Sequence, residues 1–142
     1  MKTFLLLTLA IFFFGSIVSA QKIDPKKVPV AVRQAFAKKY PGLVGKWEKE
    51  KINYEVNFKS GGRKMSALID EKGTILETET EIAVKDLPAA VSDYIKSNYN
   101  GAIIKEAALI TKADGESMFE AEVNKMDVLF DKDGKFIKEV KD

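Results

Sequence analysis

The chain repeats itself, and that repetition limits its possible folds more than any composition figure does. Val28-Pro29-Val30-Ala31-Val32-Arg33-Gln34-Ala35-Phe36-Ala37-Lys38-Lys39-Tyr40-Pro41-Gly42 matches Leu87-Pro88-Ala89-Ala90-Val91-Ser92-Asp93-Tyr94-Ile95-Lys96-Ser97-Asn98-Tyr99-Asn100-Gly101 at a constant offset of 59. Asn53-Tyr54-Glu55-Val56-Asn57-Phe58 then resembles Met118-Phe119-Glu120-Ala121-Glu122-Val123 at offset 65, and Ala67-Leu68-Ile69-Asp70-Glu71-Lys72-Gly73 resembles Val128-Leu129-Phe130-Asp131-Lys132-Asp133-Gly134 at offset 61. Apolar and punctuating residues coincide while charges do not, and the offset drifts where turns accept insertions. A unit of about 60 residues buries too little surface to be secure alone, so two copies are expected to share one body.

Each copy opens on a helix. Val28, Val32, Phe36 and Tyr40, like Leu87, Val91, Ile95 and Tyr99, recur every four residues on one stripe, with Pro29 and Pro88 in the first turn and Gly42 and Gly101 after the last. Strands follow. Tyr54, Val56 and Phe58 alternate with polar residues, as do Phe119, Ala121 and Val123; Met65, Ala67 and Ile69, and Val128 and Phe130, continue the pattern. Asp70 to Gly73 and Asp131 to Gly134 read as hairpin turns, each leading into a last strand, while Lys46 to Ile52 and Ile103 to Lys112 supply the first strands. The expected fold class is α+β: two tandem repeats, residues 21–82 and 83–142, each a helix plus a four-stranded antiparallel sheet. They form one pseudo-symmetric body of about eight strands with both helices on one face.

Residues 1–20 read as an address. Lys2, the apolar run from Phe4 to Phe14 broken only by Thr8, and the small residues ending in Val18-Ser19-Ala20 match a secretory signal peptide cleaved after Ala20. The 15 residues from Phe4 to Val18 fall short of a membrane span, which needs about 20. No Cys stands at the cleavage point to carry a lipid, so the expected product is periplasmic or secreted, without a membrane anchor. Among 142 residues there is no Cys and no His. That excludes disulfides, thiolate nucleophiles, His-based triads and sulfur- or His-ligated metals. With 23 Lys+Arg against 21 Asp+Glu the chain offers no basic excess for nucleic acid.

The tandem Ile/Val/Leu-Pro-x-x-Val-x-x-x-Ile/Phe-x-x-x-Tyr-Pro/Asn-Gly helix, followed by strands with an Asp-x-x-Gly hairpin and preceded by a signal peptide, resembles the PepSY-like, beta-lactamase-inhibitor-like proteins of Bacteroidetes. The resemblance spans residues 24–142. It implies a helix-plus-four-strand fold used in tandem, as in beta-lactamase inhibitory proteins, which present the open concave face of the sheet to an enzyme. PepSY domains occur in protease propeptides, which gives restraint of a peptidase as a second implied role. No inhibitory residue carries over by position.

If the helices cover the Tyr54, Val56 and Phe58 side, the opposite face carries Glu55, Asn57, Lys59, Ser66 and Leu68 in one copy and Glu120, Glu122, Asn124, Asp127 and Leu129 in the other. Outward Leu68 and Leu129 on a polar, water-facing sheet are candidate anchors for a partner, although single exposed leucines are also ordinary. Trp47, the one Trp, is either an interface residue or a core cap. Partner binding is therefore assigned to Trp47, Glu55, Asn57, Leu68, Glu120, Glu122 and Leu129. Glu77, Glu79 and Glu81 form an acidic row that suits either a calcium ion or, more commonly, protection of an exposed sheet edge. Asp131-Lys132-Asp133-Gly134 lacks the later ligands of a calcium loop and reads as a turn. Ser66 with Lys64 has no oxyanion hole nearby, so neither a catalytic residue nor a cofactor is assigned. The expected function is a non-enzymatic protein-binding module of the envelope, including inhibition or restraint of an exported enzyme. The alternatives are an envelope sensor of a small ligand, peptide or metal ion, and a structural component of an envelope assembly.

Overall fold

The structure, a computed structural model, describes residues 21–141; the signal-peptide reading of residues 1–20 lies outside the described residues. In chain order come β1 (Gln21–Lys22), a 3-10 turn (Pro25–Lys27), α1 (Val30–Lys39), β2 (Lys46–Glu50), β3 (Asn53–Ser60), β4 (Arg63–Ile69) and β5 (Ile75–Ile82). A second 3-10 turn (Val84–Asp86), α2 (Ala89–Asn98), β6 (Glu106–Lys112), β7 (Ser117–Val123), β8 (Met126–Asp131) and β9 (Phe136–Lys141) complete it. The nine strands make one sheet in sequential order, every neighbour antiparallel.

About eight strands were expected; the ninth is the two-residue β1, which pairs Gln21 with Lys49 and Lys22 with Glu48. The central seam is β5 against β6, running from Glu77↔Lys112 to Ile82↔Ala107. This overturns the edge-guard reading of Glu77, Glu79 and Glu81. Their strand is the fifth of nine and is paired on both sides.

Both helices lie on the same face because their apolar stripes meet the same alternate residues of the strands. Val32 and Phe36 of α1 pack on Trp47, Val56, Phe58 and Ala67. Val91 and Ile95 of α2 pack on Ala107, Ala121, Val128 and Phe130. Aromatic rings fix both contacts: Phe36 meets Phe58 edge-on at 5.1 Å and Trp47 at 5.6 Å, and Tyr94 stacks on Phe136 at 4.8 Å. The two cores share no residue. At the seam the helix-side rows are Thr78↔Thr111, Thr80↔Leu109 and Ile82↔Ala107; the last belongs to the α2 cluster, and the threonines of the first two rows stand between it and the α1 cluster.

Helix starts and hairpins explain one another. Pro29 and Pro88 stand at the N-cap, one position before the first turn in which the sequence placed them. Each helix ends on a tyrosine, Tyr40 N–H donating to the Phe36 carbonyl at 2.8 Å and Tyr99 N–H to the Ile95 carbonyl at 2.9 Å. In the two hairpins, Asp70 accepts from Lys72 and Thr74 N–H, and Asp131 from Asp133 and Lys135 N–H, all within 3.0 Å. Each turn tip touches the first turn of its own helix. A Cβ on Gly73 (φ +88°) would come within 2.7 Å of the Ala31 carbonyl oxygen, and one on Gly134 (φ +83°) within 3.0 Å of Ala90 Cβ.

Gly73 therefore has two constraints and Gly61, with φ +58° and open space around it, has one. Gly73→Ala is expected to cost about 2 kcal/mol or more in urea unfolding, and Gly61→Ala about 1 kcal/mol. Equal losses would remove the contact with α1 from the explanation.

Candidate functional site: the acidic face of the sheet

On the face away from the helices, side chains form rows that cross the seam. One row runs Glu48, Glu55, Leu68, Glu77, Lys112. The next runs Asn57, Ser66, Glu79, Ile110, Met118. A third joins Glu81, Ala108, Glu120 and Leu129, and a fourth Glu106, Glu122 and Asp127. Six of the seven residues assigned to partner binding lie here together: Glu55, Asn57, Leu68, Glu120, Glu122 and Leu129. Trp47 does not. It pairs with Val56 and is 7% exposed within the α1 core, because strand alternation gives it the side opposite Glu48.

The expectation that this face stands open to water is corrected at its centre. Leu68 and Leu129 are 1% and 0% exposed, and Glu55, Ser66, Glu120 and Asp127 are buried as well. Leu129, Ile110 and Met118 form an apolar cluster of their own. Alternation in the sequence tells which face a side chain takes; it does not tell how far its neighbours cover it.

Carboxylates crowd together across that face, from its centre to its periphery. Glu48 stands directly opposite Glu55, Glu106 opposite Glu122, and Glu122 opposite Asp127. Like charges across strands destabilise a sheet. Burial, reinforced by Glu50 and Glu48, pushes the Glu55 carboxyl from 4.5 up to about 8, against hydrogen bonds from Ser66 and Asn57. Burial also pushes Glu77 up to about 7, with Lys112 pulling it down. Glu79, 1% exposed, is raised well above its ordinary range by burial and then by Glu120, Glu55, Glu77 and Asp127. Neither oxygen of Glu79 accepts a hydrogen bond, nor does Glu77 Oε1.

The periphery is better compensated. Lys64 lies 3.9 Å from Glu81 and 3.7 Å from Glu106, and Lys105 is 3.4 Å from Glu122. Between these pairs Glu81, Glu106, Ala108, Glu120 and Glu122 line a shallow hollow. Among the described residues no group of three or more acidic side chains is arranged to hold a metal ion. Ser66 is 2% exposed in the same row as Glu79.

Sequence reasoning singled out Glu77 and Glu79 but put them on an edge, and it passed over Ile110 and Met118. Neither strand's own pattern carries the signal: the last strand of one repeat pairs with the first strand of the other, which turns an acidic edge into an acidic centre.

Two helices on one side of a single antiparallel sheet, with acidic and apolar rows on the other, define a class of tandem helix-on-sheet proteins. A family model described as "Putative beta-lactamase-inhibitor-like, PepSY-like" matches residues 17–77 and 66–138, and the chain belongs to that family. The family's description is inhibitor-like, and no enzyme family is indicated. A BLIP-like protein from Bacteroides fragilis is similar at 26% identity and TM-score 0.65, over 79% of this chain and 85% of that one. A DUF2874 family protein from Bacteroides uniformis shares the fold at 20% identity and TM-score 0.70, over 79% and 88%. A "putative periplasmic" protein from Bacteroides eggerthii shares it at 18% identity and TM-score 0.71, over 80% and 88%. No curated protein sequence matches. None of the described helices is long and apolar enough to cross a membrane.

Proposed function

We propose that this protein is an exported, non-enzymatic module that binds another protein of the envelope or the secreted fraction, in the manner of an inhibitor or restraint, through the sheet face opposite its helices. In this reading residues 1–20 are a signal peptide, and residues 21–82 and 83–142 are two helix-plus-four-strand repeats whose shared face makes one binding surface. The observation that carries it is the composition of that face: like charges set directly opposite one another around buried Leu68, Ile110, Met118 and Leu129. A fold keeps such a destabilising arrangement where it serves a site. Similarity to a BLIP-like protein supports the same reading.

Capture from envelope extract, followed by reconstitution with the purified partner, tests it. Because Leu68 and Leu129 are buried, charge reversal at the periphery is the cleaner probe. Glu106→Lys turns a like-charge opposition with Glu122 into an attractive one while losing the ion pair with Lys64; with an unchanged melting temperature as the control for folding, it is expected to weaken partner binding at least tenfold. Lys96→Glu, exposed on α2, is expected to change nothing. The reverse outcome would move the interface to the helices.

A further inference from the structure

We infer that the end of the sheet where both helices finish docks reversibly on an anionic lipid surface, each repeat inserting one aliphatic tip, Val44 or Ile103, among headgroups that its lysines contact. Both helices run toward the same end of the strands, since each begins against a hairpin tip at the other end, Gly73 for α1 and Gly134 for α2. The loop after each helix is pinned. Gly42 and Gly101 turn it at φ +76° and +68°; Leu43 N–H donates to the Tyr40 carbonyl at 3.3 Å, and Ala102 N–H to the Tyr99 carbonyl at 3.1 Å. Leu43, Ala102 and Ile104 then pack against the two cores. Val44 and Ile103 turn outward, 89% and 83% exposed, the most exposed large apolar side chains among the described residues. They are separated by the same offset of 59 as the helices. Val32 and Val91, or Phe36 and Ile95, recur at that offset because they fill a core, whereas Val44 and Ile103 recur in water.

Exposed cations accompany both tips. Lys38, Lys39, Lys46, Lys59 and Arg63 stand at this end of the first repeat, and Lys96, Lys105 and Lys125 at this end of the second. Register places them there. Lys46 pairs with Asn57 and Ser60 with Arg63, while Lys105 N–H donates to the Glu122 carbonyl beside the turn at Asn124 and Lys125. The acids at this end are engaged: Glu122 by Lys105, Glu81 and Glu106 by Lys64, and Glu139 by the Tyr99 hydroxyl. At the opposite end the turns carry Asp70, Glu71, Asp114, Glu116, Asp131 and Asp133, with Lys51, Lys72 and Lys132 among them. Charge is therefore separated along the strands.

The residue types select lipid over other anionic surfaces. Lysine carries its charge on a flexible apolar stem, and clusters of it are drawn to anionic headgroups. A protein interface is depleted in Lys and enriched in aromatic residues, and single-stranded nucleic acid stacks its bases on aromatic rings. Here Tyr40, Phe58 and Tyr99 belong to the cores. An aliphatic tip among lysines adds apolar area that is buried at the headgroup boundary. Docking by this end leaves the acidic face of the sheet clear for a partner.

The test is co-sedimentation with vesicles, using the protein without residues 1–20, whose apolar run would itself bind lipid; residues 21–141 hold every described element. Vesicles of phosphatidylglycerol and phosphatidylethanolamine should be bound at least tenfold more tightly than phosphatidylcholine alone, and less tightly as salt rises. Val44→Asp with Ile103→Asp, and separately Lys46→Glu with Lys125→Glu, should each weaken binding at least tenfold at an unchanged melting temperature. Ile52→Asp should change nothing, because Ile52, 76% exposed, stands at the opposite end beside Asp70 and Glu71. The chain has no Cys, so a polarity-sensitive dye can be placed by Val44→Cys or Ile52→Cys; its emission should shift to the blue on anionic vesicles only at position 44. Equal binding to phosphatidylcholine, equal binding by the variants, equal dye responses or no vesicle binding would each overturn the inference. So would a soluble acidic protein captured by this end without vesicle binding. All of these failures leave the protein-binding reading of the acidic face untouched, since none of the substitutions lies on it.

Discussion

Raising the pH from 5 to 9 should lower the melting temperature of this protein by about 10–20 °C, taking roughly 4 °C per kcal/mol for a chain of this size. Glu55 is raised from 4.5 to about 8 and Glu77 from 4.5 to about 7, both chiefly by burial, and Glu79 is raised in the same direction. The folded state therefore holds protons that the unfolded chain has already released, so stability falls as pH rises. The favourable contribution is complete below about pH 4.5 and is lost by about pH 8. For Glu55 alone the rise corresponds to about 5 kcal/mol; its neighbours share the same field, so their contributions overlap and do not add. Asp131, held low by backbone hydrogen bonds from Lys135 and Asp133, acts in the opposite sense, below its ordinary value of 3.8 and outside this window. Thermal unfolding at constant ionic strength measures the slope. Glu55→Gln should remove much of it, and a melting temperature that is flat or rising between pH 5 and 8 would show that these carboxyls are solvated in the folded protein.

Much of the fold is legible in the sequence, because period four and period two are read directly from Val32, Phe36, Val91 and Ile95 and from Tyr54, Val56 and Phe58. Face assignment follows from the same alternation, which is why Glu55, Leu68, Glu120 and Leu129 were placed together. Three features were not legible. Pairing of β5 with β6 is a contact between repeats, and neither strand's own pattern names its partner. Trp47 sits among alternating charges from Lys46 to Lys51, so its side was set only when it paired with Val56. Register shifts occur between Leu68 and Ile69 and between Leu129 and Phe130, at equivalent places in the two copies, where the hairpin geometry rather than residue type sets the slip.

The acidic centre and the two cores make opposing contributions to stability. On the helix side, aromatic and branched residues are removed from water at about 1.5–3 kcal/mol each. On the far side, carboxylates that would be ionised in water are held where ionisation is unfavourable. The sheet joins the two sides strand by strand, so a protein that binds the acidic face and supplies positive charge would stabilise the whole body by mass action.

Phe130→Ala is expected to cost about 3–5 kcal/mol, the range for emptying a buried aromatic site. Phe130 is fully buried, meets Tyr94 edge-on at 5.5 Å and Phe136 at 6.3 Å, and lies beneath α2. None of its core neighbours belongs to the α1 cluster. Whether the loss is felt locally or throughout depends on the seam. There β5 and β6 pair over six residues, and each half alone is at the size where a core is marginal. Losing several kcal/mol from one half should therefore withdraw the support the other half requires, giving one cooperative transition shifted down by about 10–20 °C. Scanning calorimetry of Phe130→Ala decides the matter. Two separate transitions, with one remaining at the parent temperature, would mean that the polar seam of Thr78, Thr80 and Thr111 uncouples the repeats despite their shared sheet.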